Sequence, residues 1–439
     1  MKLIISILLL LAVQTAGAHD PIFKDSKGKV TAPIGSMVVT GAVTAGTFAG
    51  DGSGLTGLPK AAPVGTRKAF YLAPRTDGQA GNGTLNDPWD ASSPAKLKAC
   101  WDRLIFTDLT WPHGGTITFM PGDYYTTEQL GLAWDGKNLT LSGYGARLFL
   151  TNKAFTGIGM SAICTRQFID GGNDNTIIQG FDIDVGTYFE FLDPGSVTGV
   201  FVEGNHCIVR DVTVRNIQSF GWHESFGIIF GSSNGIISGC SVLKLKQGGG
   251  SGIVFGGYHN AATGNLIDLG GTGLGVTVYG HGNVVQGNII RNCEGAFSMD
   301  GGGGIANGTI WRDNLVTGNH FAATWLSLRV ENNNQGFANW TFADNVFDSP
   351  QRWISMWTGD VWMSNQITGF RFVGNQFTGM ATNAGAMQNI VLQNFKRHSF
   401  LNNEFNTAPT ILFGTNANTV YGAGNTVAGV PDNSAFGIK

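Results

Sequence analysis

Between residues 264 and 425 the chain repeats one short phrase. Gly-Asn stands at 264–265 and 287–288, Asp-Asn at 313–314 and 344–345, Gly-Asn at 374–375, Asn-Asn at 402–403 and Gly-Asn at 424–425. The asparagines are separated by 23, 26, 31, 30, 28 and 22 residues, the period range of a solenoid. Two positions after each asparagine comes an apolar residue: Ile267, Ile290, Val316, Phe347, Phe377, Phe405 and Val427. Side chains alternate faces along a strand, so each asparagine and its apolar follower turn inward together. Phe181, Val212 and Cys240 occupy the same bend in earlier coils.

Upstream of each bend lies a second strand with two inward positions. The first file reads Val200, Ile228, Ile253, Val276, Phe297, Leu326, Ile354, Ile390 and Ile411. The second reads Val202, Phe230, Phe255, Val278, Met299, Leu328, Met356, Leu392 and Phe413. Such a coil cannot bury its own apolar edge, and stacking coils in register gives parallel sheets around one continuous core. An asparagine buried at each bend is satisfied by the amides above and below it, as in stacked asparagine ladders.

Composition agrees with strand and turn rather than helix: 66 glycines and only 13% charged residues among 439. A net charge of -3 gives no footprint for nucleic acid. The start, MKLIISILLLLAVQTAGAHD, reads as a secretory signal over 1–18: a lysine, an apolar run too short to span a membrane, and small residues at Ala16 and Ala18. The mature protein is therefore expected to be secreted or at the cell surface, with no membrane span. Five cysteines lie without metal-ligand spacing and read mostly as core fillers. The expected organisation continues with a small-residue, stalk-like segment at 19–64, an N-terminal cap and first strands at 65–135, coils at 136–430 and a tail at 431–439. A short helix around Ala95–Leu104 is expected to close the core end.

The MPGDYY opening at 120–125, the G-N-x-[IVF] coils and the asparagine ladder together resemble the pectate-lyase-like superfamily over residues 65–430. The resemblance implies an all-β, right-handed parallel β-helix. It leaves function open, because that fold carries lyases, hydrolases, esterases, tailspikes and surface proteins. Residues 34–58, with GDGSGLTGL at 50–58, resemble repeats of phage tail fibres and bacterial fibrous surface proteins, which implies a stalk and a homotrimer assembled through it. YGHGN at 279–283 is similar to the Gly-His-Gly of polygalacturonases, but the acidic and Arg-x-Lys partners of that signature are absent. The aspartates that hold calcium in pectate lyases are absent too, so calcium enters only in a lyase version.

In this superfamily substrate lies along the outward face of the second strand. Alternation places Tyr279, Asp300, Arg329 and Trp357 in one outward file, with Ser298, Ser327, Trp325 and Trp353 beside it. His281 and Glu331 stand two residues past Tyr279 and Arg329, and His223 and Glu224 sit on an entering loop. Aromatic faces and hydroxyls in a line suit an extended polysaccharide. For hydrolysis, Asp300 and Glu331 form the acid–base pair; one coil step plus a two-residue offset puts them roughly 8 Å apart, in the inverting range. For a lyase, Arg329, His281 or Tyr279 removes a sugar proton. Two readings stand: a secreted polysaccharide-cleaving enzyme, or a non-catalytic tailspike-like or adhesin-like glycan-binding surface protein.

Overall fold

The computed structural model describes residues 23–24, 30–31, 68–104, 114–131, 138–151, 160–164, 174–186, 197–217, 225–245, 250–300, 310–332, 336–358, 367–379, 389–392, 397–413 and 420–436. The chain separates into two compact units, Met1–Gly65 and Thr66–Lys439. In the first, Phe23–Lys24 pairs antiparallel with Val30–Thr31. The signal and stalk readings otherwise fall outside the described residues.

The second unit is a parallel β-helix. Fourteen strands, from Lys68–Ala73 to Val420–Ala423, form one parallel face. The other two faces merge into a 22-stranded sheet, because two strands run unbroken through the corner between them. The face that concerns function contains strands β1 (Gly250–Phe255), β2 (Leu274–Val278), β3 (Ile289–Asp300), β4 (His320–Asn332), β5 (Arg352–Thr358) and β6 (Ile390–Leu392), each paired in parallel with the next. β3 and β4 are the two that turn the corner, and bulges between Arg291, Cys293 and Gly295 bend them there.

The dipeptide phrase now has a conformational cause. Its first residue adopts left-handed backbone (Gly264 φ 61°, Gly287 64°, Asp344 54°, Asn402 54°), which only glycine, asparagine and aspartate take at low cost. The asparagine that follows bonds its neighbour in the next coil. Nδ2 of Asn265 donates to Oδ1 of Asn288 at 2.8 Å, and the chain continues through Asn319, Asn345, Asn375, Asn403 and Asn425 to Asn433. Cys240 sits at the same bend, its N–H donating to Asn265 Oδ1. One member differs from expectation: Asn319, not Asn314, holds this ladder. Asn314 belongs to a second ladder at another bend, where Asn260 N–H donates to Asn283 Oδ1 and Asn283 N–H to Asn314 Oδ1. Both bends use the same left-handed-residue–Asn grammar, so spacing alone could not separate them.

Like residues stack in files through the core. Phe347, Phe377 and Phe405 lie 4.8 and 4.6 Å apart with nearly parallel rings, as do Phe372 and Phe400 at 4.6 Å. Each such pair contributes about 0.5–1.5 kcal/mol beyond its burial. None of the five cysteines forms a disulfide; four are buried, and burial pushes the Cys240 and Cys293 thiols up to about 12. They pack rather than react.

The core end is closed by helix α1 (Pro94–Asp102), capped by Ser93, whose hydroxyl accepts from the Lys96 N–H. Leu97 and Trp101 face inward, and the Trp101 indole donates to the Gly131 carbonyl.

Candidate functional site

Backbone register decides what stands beside what on the outward face. β3 pairs with β4 as Phe297↔Leu328, Ser298↔Arg329, Met299↔Val330 and Asp300↔Glu331. β4 pairs with β5 as Leu328↔Ile354, Arg329↔Ser355, Val330↔Met356 and Glu331↔Trp357. The inward files therefore contain Leu328 and Val330, where Leu326 and Leu328 were expected. The reason is local: Leu326, Leu328 and Val330 alternate and all three are buried, so an apolar pattern fits two registers offset by two residues.

The shift rearranges the candidate residues. Arg329 leaves the file of Tyr279 and Asp300 and joins Thr277, Ser298 and Ser355. Glu331 takes its place. Asp300 and Glu331 thus face each other directly across one strand pair, without the two-residue offset, and Trp357 follows Glu331. For Asp300, Glu331 and Trp357 only the backbone is described.

The file reaches back toward the N-terminus through Tyr279, Gly256, Gly231 and Glu203, since the Tyr279 N–H donates to Phe255 O, Gly256 N–H to Phe230 O and Gly231 N–H to Val202 O. Neither glycine has left-handed backbone, and a Cβ would meet its nearest atom at 3.4 Å at Gly231 and 3.8 Å at Gly256. The fold does not require glycine there; its effect is a bare floor leading to Tyr279.

Several expected contact residues sit elsewhere. Trp353 is fully buried, its ring 5.5 and 5.7 Å from Phe377 and Phe405 and its indole donating to the Thr378 carbonyl at 2.7 Å. It stands at the tight inner corner, where two successive residues both turn inward and alternation fails. Earlier coils fill that place with glycine: a Cβ on Gly275 would lie 2.1 Å from Ile290 Cγ2. Ser327 shares this corner and is buried, its hydroxyl donating to the Phe321 carbonyl. Ser298 occupies the outward row but is also buried, and its hydroxyl has no hydrogen-bond partner among the described residues. Trp325 is exposed at the strand's entry, and Arg329 is half-buried. His223 and Glu224 lie outside the described residues.

His281 leaves the strand face altogether. Its ring lies between Tyr258, 4.6 Å away, and Trp311, 5.5 Å away. Burial first, then the Arg312 and His259 charges, hold its pKa below the usual histidine range. Sequence reading missed Tyr258, an exposed ring at the same bend one coil before His281, whose only signal was the repeat of Tyr258-His259-Asn260 as His281-Gly282-Asn283 one coil later. Among the described residues no group of three or more histidine, cysteine, aspartate or glutamate side chains is placed to hold a metal ion.

No known family profile and no curated protein sequence matches the chain. Solved structures do. PfbA, a surface adhesin of Streptococcus pneumoniae, aligns with a TM-score of 0.57 at 12% identity, covering 82% of this chain and 93% of its own. The tailspike protein of E. coli bacteriophage HK620, in complex with a pentasaccharide, aligns with a TM-score of 0.56 at 15% identity, over 76% of this chain and 62% of that one. Solved variants of the tailspike replace an aspartate or a glutamate. At these identities the likeness establishes the parallel β-helix fold.

Proposed function

We propose that this chain is an exported, surface-acting β-helix protein that binds a polysaccharide along the outward face of β2–β5 and hydrolyses it with Asp300 and Glu331. The observation that carries the proposal is the direct pairing of these two residues on adjacent strands. Neighbouring strands lie about 4.8 Å apart, so the register brings an aspartate and a glutamate to the same level of adjacent coils. Hydrolysis uses one carboxylic acid as proton donor and one carboxylate, and the pair supplies both residue types. With the two-residue offset gone, the proposed pair suits the closer, retaining arrangement rather than the inverting one.

Arg329, flanked by Ser298 and Ser355 in register, is the group for a sugar carboxylate, and Tyr279 precedes the acid pair in its own file. The bare floor at Gly231 and Gly256 and the exposed Trp325 ring extend the surface on which sugar rings stack. Two of the similar structures support this reading by what they are: a surface adhesin and a saccharide-bound tailspike. The stalk-like segment 19–64 is proposed to assemble three copies. Among the described residues no helix is long and apolar enough to cross a membrane.

The adhesin likeness also supports a second reading, binding without cleavage. A polysaccharide panel assayed for reducing ends and for unsaturated uronate absorbance separates the two. The proposal expects reducing ends from at least one glycan and a loss of at least about 100-fold for both Asp300→Asn and Glu331→Gln, the scale of acid–base catalysis. A glycan that is retained but never cut establishes the adhesin reading. An unsaturated product establishes a lyase.

A further inference from the structure

At the N-terminal end of the β-helix, away from β2–β5, a cavity of about 310 Å3 opens between helix α1 and the loop that precedes it. Gly81, Trp89, Asp90, Lys96, Ala99 and Arg103 line it. The two walls are built differently. The loop wall is held by Arg75, whose guanidinium donates to Asp77 Oδ1 at 2.9 Å, Asp87 Oδ1 at 2.5 Å and the Pro88 carbonyl at 2.8 Å. Gly81 is fixed in left-handed backbone there, and a Cβ would fall 2.0 Å from the Pro88 carbonyl oxygen. On the helix wall, Leu97 and Trp101 point into the core, which turns Lys96, Ala99, Cys100 and Arg103 to the cavity at the i, i+3, i+4, i+7 spacing of one helix face.

Trp89 forms the base. Phe70 stacks on its ring at 4.9 Å and 15°, and the Arg103 guanidinium lies 4.9 Å from the ring centroid. The indole is 3% exposed, and its N–H has no hydrogen-bond partner. A buried donor without an acceptor costs about 1–3 kcal/mol, a cost this wall carries as built. The acid in the lining is already neutralised: Asp90, 5% exposed, receives the Lys96 ammonium at 2.5 Å and the Ser92 N–H at 2.9 Å. Arg103 has no ion pair among the described residues. The charges of Lys96, Arg103 and Asp90 sum to +1, and the groups left over are donors beside an aromatic ring and the small apolar surfaces of Gly81 and Ala99.

We propose that this cavity binds a single sugar bearing a carboxylate, a hexuronate being the simplest. The carboxylate meets Arg103, which Trp89 holds in place from below, and the ring lies against the Gly81 and Ala99 surfaces. The volume is at the lower end of small-molecule sites, which fits one ring rather than a chain. One net positive charge matches a monoanion better than a phosphate. The site is separate from the acid pair and stands whether or not the groove cleaves glycan.

Isothermal titration calorimetry on the full chain tests it with sodium glucuronate, glucose and inorganic phosphate. Glucuronate is expected to bind at one site per chain, and glucose at least tenfold more weakly. Arg103→Gln is expected to reduce glucuronate affinity at least tenfold, the scale of a lost charged hydrogen bond. Ala99→Leu fills the mouth from an exposed helical position that suits leucine, so binding is expected to vanish while the melting temperature holds. Equal binding of glucose and glucuronate, undiminished binding by Arg103→Gln, or phosphate binding as tightly as glucuronate would each overturn the proposal.

Discussion

Asn345 sits in the middle of the long asparagine ladder, and removing its side chain tests what the ladder contributes. Its Oδ1 accepts from the Asn319 backbone N–H at 3.0 Å and from Asn319 Nδ2 at 2.9 Å. Its Nδ2 donates to Asn375 Oδ1 at 3.0 Å and to the Val316 carbonyl at 2.9 Å. Asn345→Ala deletes all four bonds in a site 1% exposed, where water cannot replace them. Not every loss counts equally. Asn319 Nδ2 keeps the Val285 and Thr317 carbonyls, and Asn375 Oδ1 keeps the Asn345 N–H. The Val316 carbonyl keeps its sheet bond to the next strand, so the Asn319 N–H is the group left without its acceptor. At about 1–3 kcal/mol for a buried polar group left unsatisfied, the expected cost is about 1–3 kcal/mol. Guanidinium unfolding followed by far-UV circular dichroism reads it as a lower midpoint at unchanged slope. If unfolding is irreversible, the unfolding rate in denaturant reads the same loss. A loss below about 1 kcal/mol would refute the reasoning, because it would mean that the bend hydrates or repacks freely.

Two further outcomes follow from buried side chains. His398 is 1% exposed beside Phe370, and burial lowers its pKa from 6.5 to about 3. Below pH 6.5 the unfolded chain takes up a proton that the folded one refuses, so stability falls as pH drops toward 3, by up to about 1.4 kcal/mol per pH unit. His398→Phe is expected to flatten that slope in denaturation measured from pH 7 to pH 4; an unchanged slope counts against it. Trp353→Ala is expected to cost about 3–5 kcal/mol of stability as a core truncation, read by denaturation. Wild-type stability in that variant would return Trp353 to the surface.

Most of the architecture was legible because a solenoid repeats its constraints. The left-handed bend residue admits few side chains, so glycine, aspartate and asparagine marked the corner coil after coil. The inward files of β1 and β2 were legible for a similar reason, since every inward position there is apolar coil after coil. Reading failed where the pattern degenerates. In β4, Leu326, Leu328 and Val330 satisfy two registers, and only the bulges around Cys293 choose between them. At the inner corner before Ile354, consecutive inward residues break the alternation, so buried Trp353 looked like an outward ring. At the second bend the ladder passes from Asn314 to Trp340, Phe370 and His398, which exchanges hydrogen bonds for ring stacking and leaves no recurring letter to follow. The candidate site was thus named largely by residue and misplaced by register: Asp300 and Glu331 were both singled out, while their direct pairing depends on the two-residue shift in β4.

That pairing is open to a direct chemical test. Residues facing each other on adjacent parallel strands have Cα atoms within disulfide reach, about 4.4–6.8 Å. Asp300→Cys/Glu331→Cys and Asp300→Cys/Arg329→Cys should be oxidised under mild conditions and their cross-links located by peptide mass spectrometry. A disulfide in the first double variant and none in the second is the expected result. Cross-linking of 300 to 329 in preference to 331 would contradict the register, and with it the acid pair.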